Sequence, residues 1–218
     1  MKLLLTSGGI TNKSLAKALF DLVGKRPEDT SLVFVPTASN PEAGDKGWLI
    51  DDLKNLQKLG LKQIDIADIS ALTREQWLPR FKEADILFFE GGNTFYLMEW
   101  INKSGLKDIL PDLLKTKVYV GLSAGTMVTA KDLLLGPSQK LYFEDLERTE
   151  EMTGLNFVSF YTLPHLNSEY FEELREKNIR EAVKGVKDKI YVLDDKSAVK
   201  VVDGKAEVIS EGTWFEIN

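Results

Sequence analysis

Residues 118–128 read VYVGLSAGTMV, a short apolar run that turns at Gly121-Leu122-Ser123-Ala124-Gly125 and continues as the start of a helix. The β-branched and aromatic residues predict a buried strand, and the glycines permit a turn with no room for side chains beside the serine. Such a turn lifts the serine hydroxyl above the carboxyl end of a sheet, near the amides of a helix N-terminus. The pattern is equally typical of a strand-to-helix turn with a serine N-cap, so the rest of the chain must decide.

Strands and amphipathic helices are predicted to alternate on both sides of this turn. Apolar β-type runs occupy residues 2–6, 31–36, 63–67, 85–90 and 117–121. Leucine, isoleucine, phenylalanine and tryptophan recur at helical spacing over residues 13–23, 45–59, 73–82, 94–102 and 106–114. This alternation predicts an α/β fold with a mostly parallel central sheet and helices on both faces.

The pattern changes after residue 130. We predict a strand over 157–163, a charged helix over 168–183 and short strands at 190–193, 198–202 and 206–209. Asp203-Gly204 is typical of a tight turn and predicts a C-terminal β-hairpin. With no internal repeat or linker, we expect one domain spanning residues 1–218.

Composition narrows the classes of function. The 218 residues carry 34 acidic and 28 basic side chains, a net charge of -6 that argues against a nucleic-acid partner. No cysteine is present, so disulfides, a cysteine nucleophile and thiolate metal sites are excluded. The apolar start ends at Thr6-Ser7-Gly8-Gly9, and we expect a cytoplasmic protein with no membrane partner, no metal and no cofactor. We expect a monomer, with a dimer as the alternative.

His165 is the only histidine in the chain. A serine hydroxyl needs an adjacent base to act as a nucleophile, and histidine is the usual one. His165 follows the predicted strand 157–163, where it can meet Ser123 if that strand packs beside the sheet. Asp194, Asp195 and Glu173 are the candidates for a carboxylate that orients the imidazole, and each is equally typical of a solvated turn or helix face.

A second strand-turn-helix junction contains Gly91-Gly92-Asn93. Glycines at such a junction let backbone amides approach a ligand, so Gly92 and Ala124 are candidate donors to an oxyanion. The alternative for Asn93 is that it only caps the following helix.

Three segments carry a resemblance to the peptidase E family of serine peptidases: residues 89–95 (FEGGNTF), residues 121–125 (GLSAG) and Pro164-His165. The resemblance spans the chain and implies a three-layer sandwich similar to class I glutamine amidotransferases. It also implies Ser123 as nucleophile, His165 as base and the amides of Gly92 and Ala124 as oxyanion hole. Asp195 falls where the related cyanophycin-degrading enzymes carry a glutamate, which favours it as the acid.

The resemblance predicts a serine peptidase that cleaves short peptides or other small amides through an acyl-enzyme. Thr126-Met127 departs from the Ala-Asn of the family's aspartyl dipeptidases, which argues against a strict preference for an N-terminal aspartate. We expect substrate contacts at Gly91, Asn93 and Thr126, and specificity to depend on residues 37–46 and 138–151. The alternatives are an esterase, a cyanophycin-type amide hydrolase, or a degenerate protein that only binds a small ligand.

Overall fold

A seven-stranded sheet forms the centre of the computed structural model, which describes residues 1–218. Its strands in spatial order are β3 (Gln63–Ile66), β2 (Ser31–Val35), β4 (Ile86–Phe89), β5 (Val118–Leu122), β1 (Lys2–Thr6), β8 (Ser197–Val202) and β9 (Lys205–Ser210). The first five are parallel, whereas β8 runs antiparallel to β1 and β9 antiparallel to β8. The predicted mostly parallel sheet is confirmed, and the parallel strands bring their carboxyl ends to one edge.

Helices cover both faces of this sheet, as predicted. They are α1 (Lys13–Val23), α2 (Gly47–Gln57), α3 (Arg74–Glu83), α4 (Thr94–Lys103), α5 (Leu106–Leu113), α6 (Ala124–Met127), α7 (Leu135–Leu141) and α8 (Glu176–Ala182). Successive side chains of a strand point to opposite faces of the sheet and so enter two different hydrophobic cores. In β4, Ile86 and Phe88 pack with α1 and α2 on one face. Leu87 and Phe89 pack with α3, α4 and α5 on the other face. None of the helices has the length and apolar character needed to cross a membrane.

The C-terminal part of the chain adds a second sheet that the sequence did not predict. It has three strands in the order β10 (Trp214–Ile217), β7 (Ile190–Leu193) and β6 (Tyr161–Leu163). The central strand β7 pairs in parallel with β6 and antiparallel with β10. The predicted hairpin joins β8 to β9 through Asp203 and Gly204, both with positive φ.

The strand predicted at 157–163 begins only at Tyr161. The preceding residues are held elsewhere, because the amides of Leu155 and Phe157 donate to the carbonyls of Val128 and Thr129. β6 therefore lies in the second sheet and not beside the central one, and the histidine that follows it approaches Ser123 from there.

The helix predicted over 168–183 is also wrong in its first half, since only Glu176–Ala182 is helical. The amide of Asn167 donates to the carbonyl of Leu174 at 2.8 Å, which closes residues 167–174 into a loop. Phe171 in this loop stacks on His165. These tertiary contacts outweigh the helix-like spacing of the charges.

Candidate active site

Ser123 occupies a strained turn between β5 and α6. Its backbone has φ 48° and ψ -108°, a combination that residues with a side chain rarely adopt. The turn packs against the end of β4 so closely that a Cβ on Gly125 would lie 2.1 Å from the carbonyl oxygen of Phe89. The serine side chain is thereby directed to the carboxyl edge of the sheet, and the residue is 8% exposed.

His165 lies two residues beyond β6, with φ 67°. Its Nε2 is 2.8 Å from Ser123 Oγ, a hydrogen-bonding distance. The His165 amide donates to Ser7 Oγ at 2.7 Å, and the ring stacks nearly parallel to Phe171 with centroids 4.6 Å apart. Backbone and ring are therefore both held, and the imidazole side chain is 12% exposed.

Asp195 completes a hydrogen-bonded chain. Its Oδ1 is 2.6 Å from His165 Nδ1 and also accepts a bond from Ser7 Oγ at 2.9 Å. Burial raises the pKa of Asp195, but the hydrogen bonds from His165 and Ser7 and the charge of His165 outweigh burial and lower it below its usual value. Asp195 is thus suited to remain an anion beside the imidazole.

The two alternative acids lie elsewhere. Asp194 accepts bonds from the Ser197 hydroxyl at 2.6 Å and the Thr213 amide at 2.5 Å, which hold the turn between the two sheets. Glu173 accepts a bond from the Asn178 side chain at 2.9 Å, within the region that leads into α8. Neither carboxylate contacts the imidazole, because each is hydrogen-bonded to other groups.

Two backbone amides close to Ser123 in the chain or the fold donate no hydrogen bond within the protein. The Gly92 amide donates no hydrogen bond, and a Cβ at this position, where φ is 125°, would lie 2.2 Å from the carbonyl oxygen of Ala38. Ala124 is the first residue of α6, so its amide has no acceptor within that helix. The predicted pair of oxyanion donors is therefore available for an acceptor from outside.

The three residues predicted to contact the substrate have different surroundings in the structure. Gly91 packs beside the nucleophile turn, with a Cβ position 3.3 Å from the serine Cβ. Asn93 caps α4, since its Oδ1 accepts from the Tyr96 amide at 2.8 Å. The substrate contact expected at Thr126 stays a prediction: the residue is fully buried, and its hydroxyl donates to the Thr6 carbonyl at 2.8 Å.

Ser7 and three carboxyl groups near the site had no assigned role in the sequence analysis. One of the three, Glu144, reaches from the segment 138–151 to the start of α4. Its Oε1 accepts from the Thr94 amide at 3.0 Å and the Thr94 hydroxyl at 3.1 Å, while its Oε2 is buried without a partner. Burial raises the pKa of Glu144 to about 8, with smaller increases from the charges of Glu42 and Asp145.

The other two, Asp52 on α2 and Glu90 after β4, face each other. Burial raises the pKa of Asp52 to about 6, and the charges of His165 and Asp195 act on it as well. Burial and the charge of Asp52 raise the pKa of Glu90 well above its usual value. The signal for Glu90 was a carboxylate ending an otherwise apolar strand. No group of three or more potential metal ligands occurs.

An α/β fold with a serine in this turn, in contact with a histidine, is the arrangement of serine hydrolases. Comparison with known proteins narrows the class: residues 3–209 match the model of peptidase family S51. The chain belongs to this family and is a serine-type peptidase.

Several proteins similar to this chain carry peptidase names. An uncharacterized peptidase of Listeria innocua is 28% identical over 189 residues, covering 81% of this chain and 87% of its own. An uncharacterized peptidase of Pasteurella multocida is 28% identical over 156 residues, covering 70% and 72%. A solved structure of a candidate peptidase E from Listeria monocytogenes superposes with a TM-score of 0.79 over 97% of this chain and 98% of its own. At 23% identity, that last likeness shows the fold.

Proposed function

We propose that this peptidase hydrolyses amide bonds in short peptides with Ser123 as nucleophile, His165 as general base and acid, and Asp195 as the orienting acid. The observation that carries the proposal is the continuous chain from Ser123 Oγ through both imidazole nitrogens to Asp195 Oδ1, with distances of 2.8 and 2.6 Å. A serine so connected is activated, because the base that accepts its proton is already aligned and its other nitrogen is fixed as a donor.

In the acylation step, Ser123 Oγ attacks the scissile carbonyl carbon while its proton passes to His165 Nε2. The carbonyl electron pair moves onto oxygen, where the Gly92 and Ala124 amides donate to the resulting oxyanion. Asp195 stabilises the imidazolium that forms. Collapse of the intermediate breaks the carbon–nitrogen bond, and His165 returns the proton to the leaving amine.

Deacylation repeats these roles with water. His165 Nε2 takes a proton from water as its oxygen attacks the ester carbon, and the proton then goes to Ser123 Oγ as the ester bond breaks. The low exposure of Ser123, 8%, favours small substrates over a folded chain.

The test is covalent labelling with a neutral fluorophosphonate, followed by mass spectrometry of the modified peptide and turnover of a dipeptide library. We expect one adduct on Ser123 in the wild-type protein, none in Ser123→Ala and a strongly reduced rate in His165→Ala. Ser104→Ala, which changes a serine at the end of α4, is the matched control and should label like the wild type.

Each outcome has a distinct meaning. Labelling of Ser123 with hydrolysis of dipeptides supports the proposal, while labelling with turnover of esters alone replaces it by an esterase. A folded protein that is not labelled contradicts an activated serine. Full peptidase activity in Ser123→Ala contradicts the assigned nucleophile.

A further inference from the structure

Asp52 reaches the candidate active site from α2. Its Oδ1 lies 3.4 Å from the position that a Cβ would take on Gly9, and the preceding Gly8 packs directly against Asp195. Asp52 and Asp195 therefore both lie next to the Gly8-Gly9 turn, and the charges of His165 and Asp195 act on the Asp52 carboxyl group. Asp52 is half-buried, so the residue keeps some exposure to solvent.

Glu90 stands behind Asp52 and is fully buried. Its two carboxyl oxygens have no hydrogen-bond partner apart from a contact with Asp52, which partly offsets the rise that burial causes in the pKa of Asp52. A buried carboxyl group with no other partner is costly, and burial and the charge of Asp52 raise the pKa of Glu90 well above its usual value. Glu90 therefore favours its neutral form, and the negative charge of the pair lies on Asp52.

No basic side chain of the protein neutralises this pair. The adjacent Asp51 forms an ion pair with Lys54, whereas neither Asp52 nor Glu90 has an ion-pair partner. Lys46, which precedes α2, is held by two backbone carbonyls. The negative charge of Asp52 therefore has no ion-pair partner among the side chains of the protein, and an ammonium group of a ligand could supply one.

We propose that Asp52, backed by Glu90, binds an ammonium group of the substrate, so that the peptidase prefers short peptides with a positive charge next to the scissile bond. This inference rests on the proposed function of the same site. The ammonium group is either the free α-ammonium of the substrate or the side chain of a lysine-like residue. An N-terminal aspartate side chain would be repelled by the Asp52 carboxylate.

The experiment compares kcat/KM for matched pairs of p-nitroanilides. Alanine against N-acetylalanine tests the α-ammonium, and N-acetyllysine against N-acetylnorleucine tests the side chain. In the wild type we expect at least one pair to differ by about tenfold or more in favour of the ammonium, the discrimination of one charge-assisted contact in a partly buried site. We expect that ratio to collapse in Asp52→Asn and to persist in the control Asp51→Asn.

A second arm needs no variant. Lowering the pH from about 7 to about 5 protonates Asp52, whose pKa is about 6, so the ammonium preference should decline in the wild type. The groups facing Asp52 are Glu90, Asp51, His165 and Asp195. An effect of pH on the chemical step itself slows both members of a pair, so the ratio isolates the contribution of Asp52.

A third arm is independent of catalysis. Alaninamide should raise the melting temperature of the wild type more than N-acetylalaninamide does, and Asp52→Asn should abolish the difference. Ratios near one in both substrate pairs, or a preference that survives both Asp52→Asn and low pH, overturn the inference while labelling of Ser123 still supports the proposed function. Absence of labelling with retained, Asp52-dependent binding of alaninamide overturns the proposed function alone.

Discussion

Asp195→Asn removes one negative charge at the end of the hydrogen-bonded chain while preserving shape. The asparagine amide oxygen can still accept from His165 Nδ1 and from Ser7 Oγ, the two donors that meet Oδ1. The imidazole therefore keeps its orientation, and the expected loss is electrostatic.

The magnitude follows from the geometry. With Nδ1 and Oδ1 2.6 Å apart, the centres of the two charges are separated by about 4 Å, which corresponds to about 4 kcal/mol at an effective dielectric constant of about 20. Solvent screens Asp195, whose side chain is 44% exposed, so we expect about 2.7–4 kcal/mol of transition-state stabilisation to be lost. This is a decrease of about 10²–10³ in the rate of reaction at Ser123.

The assay is the second-order rate constant for fluorophosphonate labelling, measured on protein shown to be folded by circular dichroism. Asp194→Asn is the matched control, because Asp194 holds a turn and does not contact the imidazole. That variant should lose stability and label within about threefold of the wild type, well below the effect of losing a charge at the site. The reasoning is refuted if Asp195→Asn labels nearly as fast as the wild type, or if folded Asp194→Asn is equally slow.

Three further substitutions test other parts of the structure. Gly92→Ala should lower kcat by about 10²–10³, because a Cβ would lie 2.2 Å from the Ala38 carbonyl oxygen and displace an oxyanion donor. Steady-state kinetics that show near-normal kcat would contradict this. Burial raises the pKa of Glu144 to about 8 in the folded protein, whereas the ordinary pKa of 4.5 applies in the unfolded chain. Between these two values the folded protein binds more protons than the unfolded chain, so stability falls as pH rises. Glu144→Gln should flatten this decline in melting temperature between about pH 5 and about pH 8, and an unchanged slope would argue against it. Tyr119→Phe should lower the free energy of unfolding by about 1–3 kcal/mol, because the buried carbonyl of Gly125 loses its 2.5 Å hydrogen bond. Urea denaturation measures this cost, and no detectable change would rule it out.

The central sheet could be predicted because its inner parallel strands are buried on both faces and are short, almost purely apolar runs. Val118–Leu122 and Ile86–Phe89 are examples, with every residue buried. The segment 168–183 could not be predicted in the same way, since its charges follow helical spacing on both sides of the true helix start. The helix begins later than predicted because Phe171 packs on His165, a contact between side chains brought together only by the fold.

The residues of the candidate site could likewise be predicted only in part. Ser123 and His165 could be proposed because one lies in a motif with a steric rationale and the other is the only histidine. The choice between Asp194 and Asp195 depends on partners from remote segments, and nothing in the local sequence separates two adjacent aspartates. Asp52 gives no signal either, because it stands among the alternating charges of an ordinary amphipathic helix.

The hydrogen-bonded chain also joins the two sheets. Ser123 follows a strand of the central sheet, His165 follows a strand of the second, and Asp195 lies in the three-residue connection between β7 and β8. A slight separation of the sheets would break the contact between serine and imidazole while leaving both sets of strands intact. Catalytic activity should therefore be sensitive to small separations of the two sheets, and on heating it should disappear before the secondary structure melts.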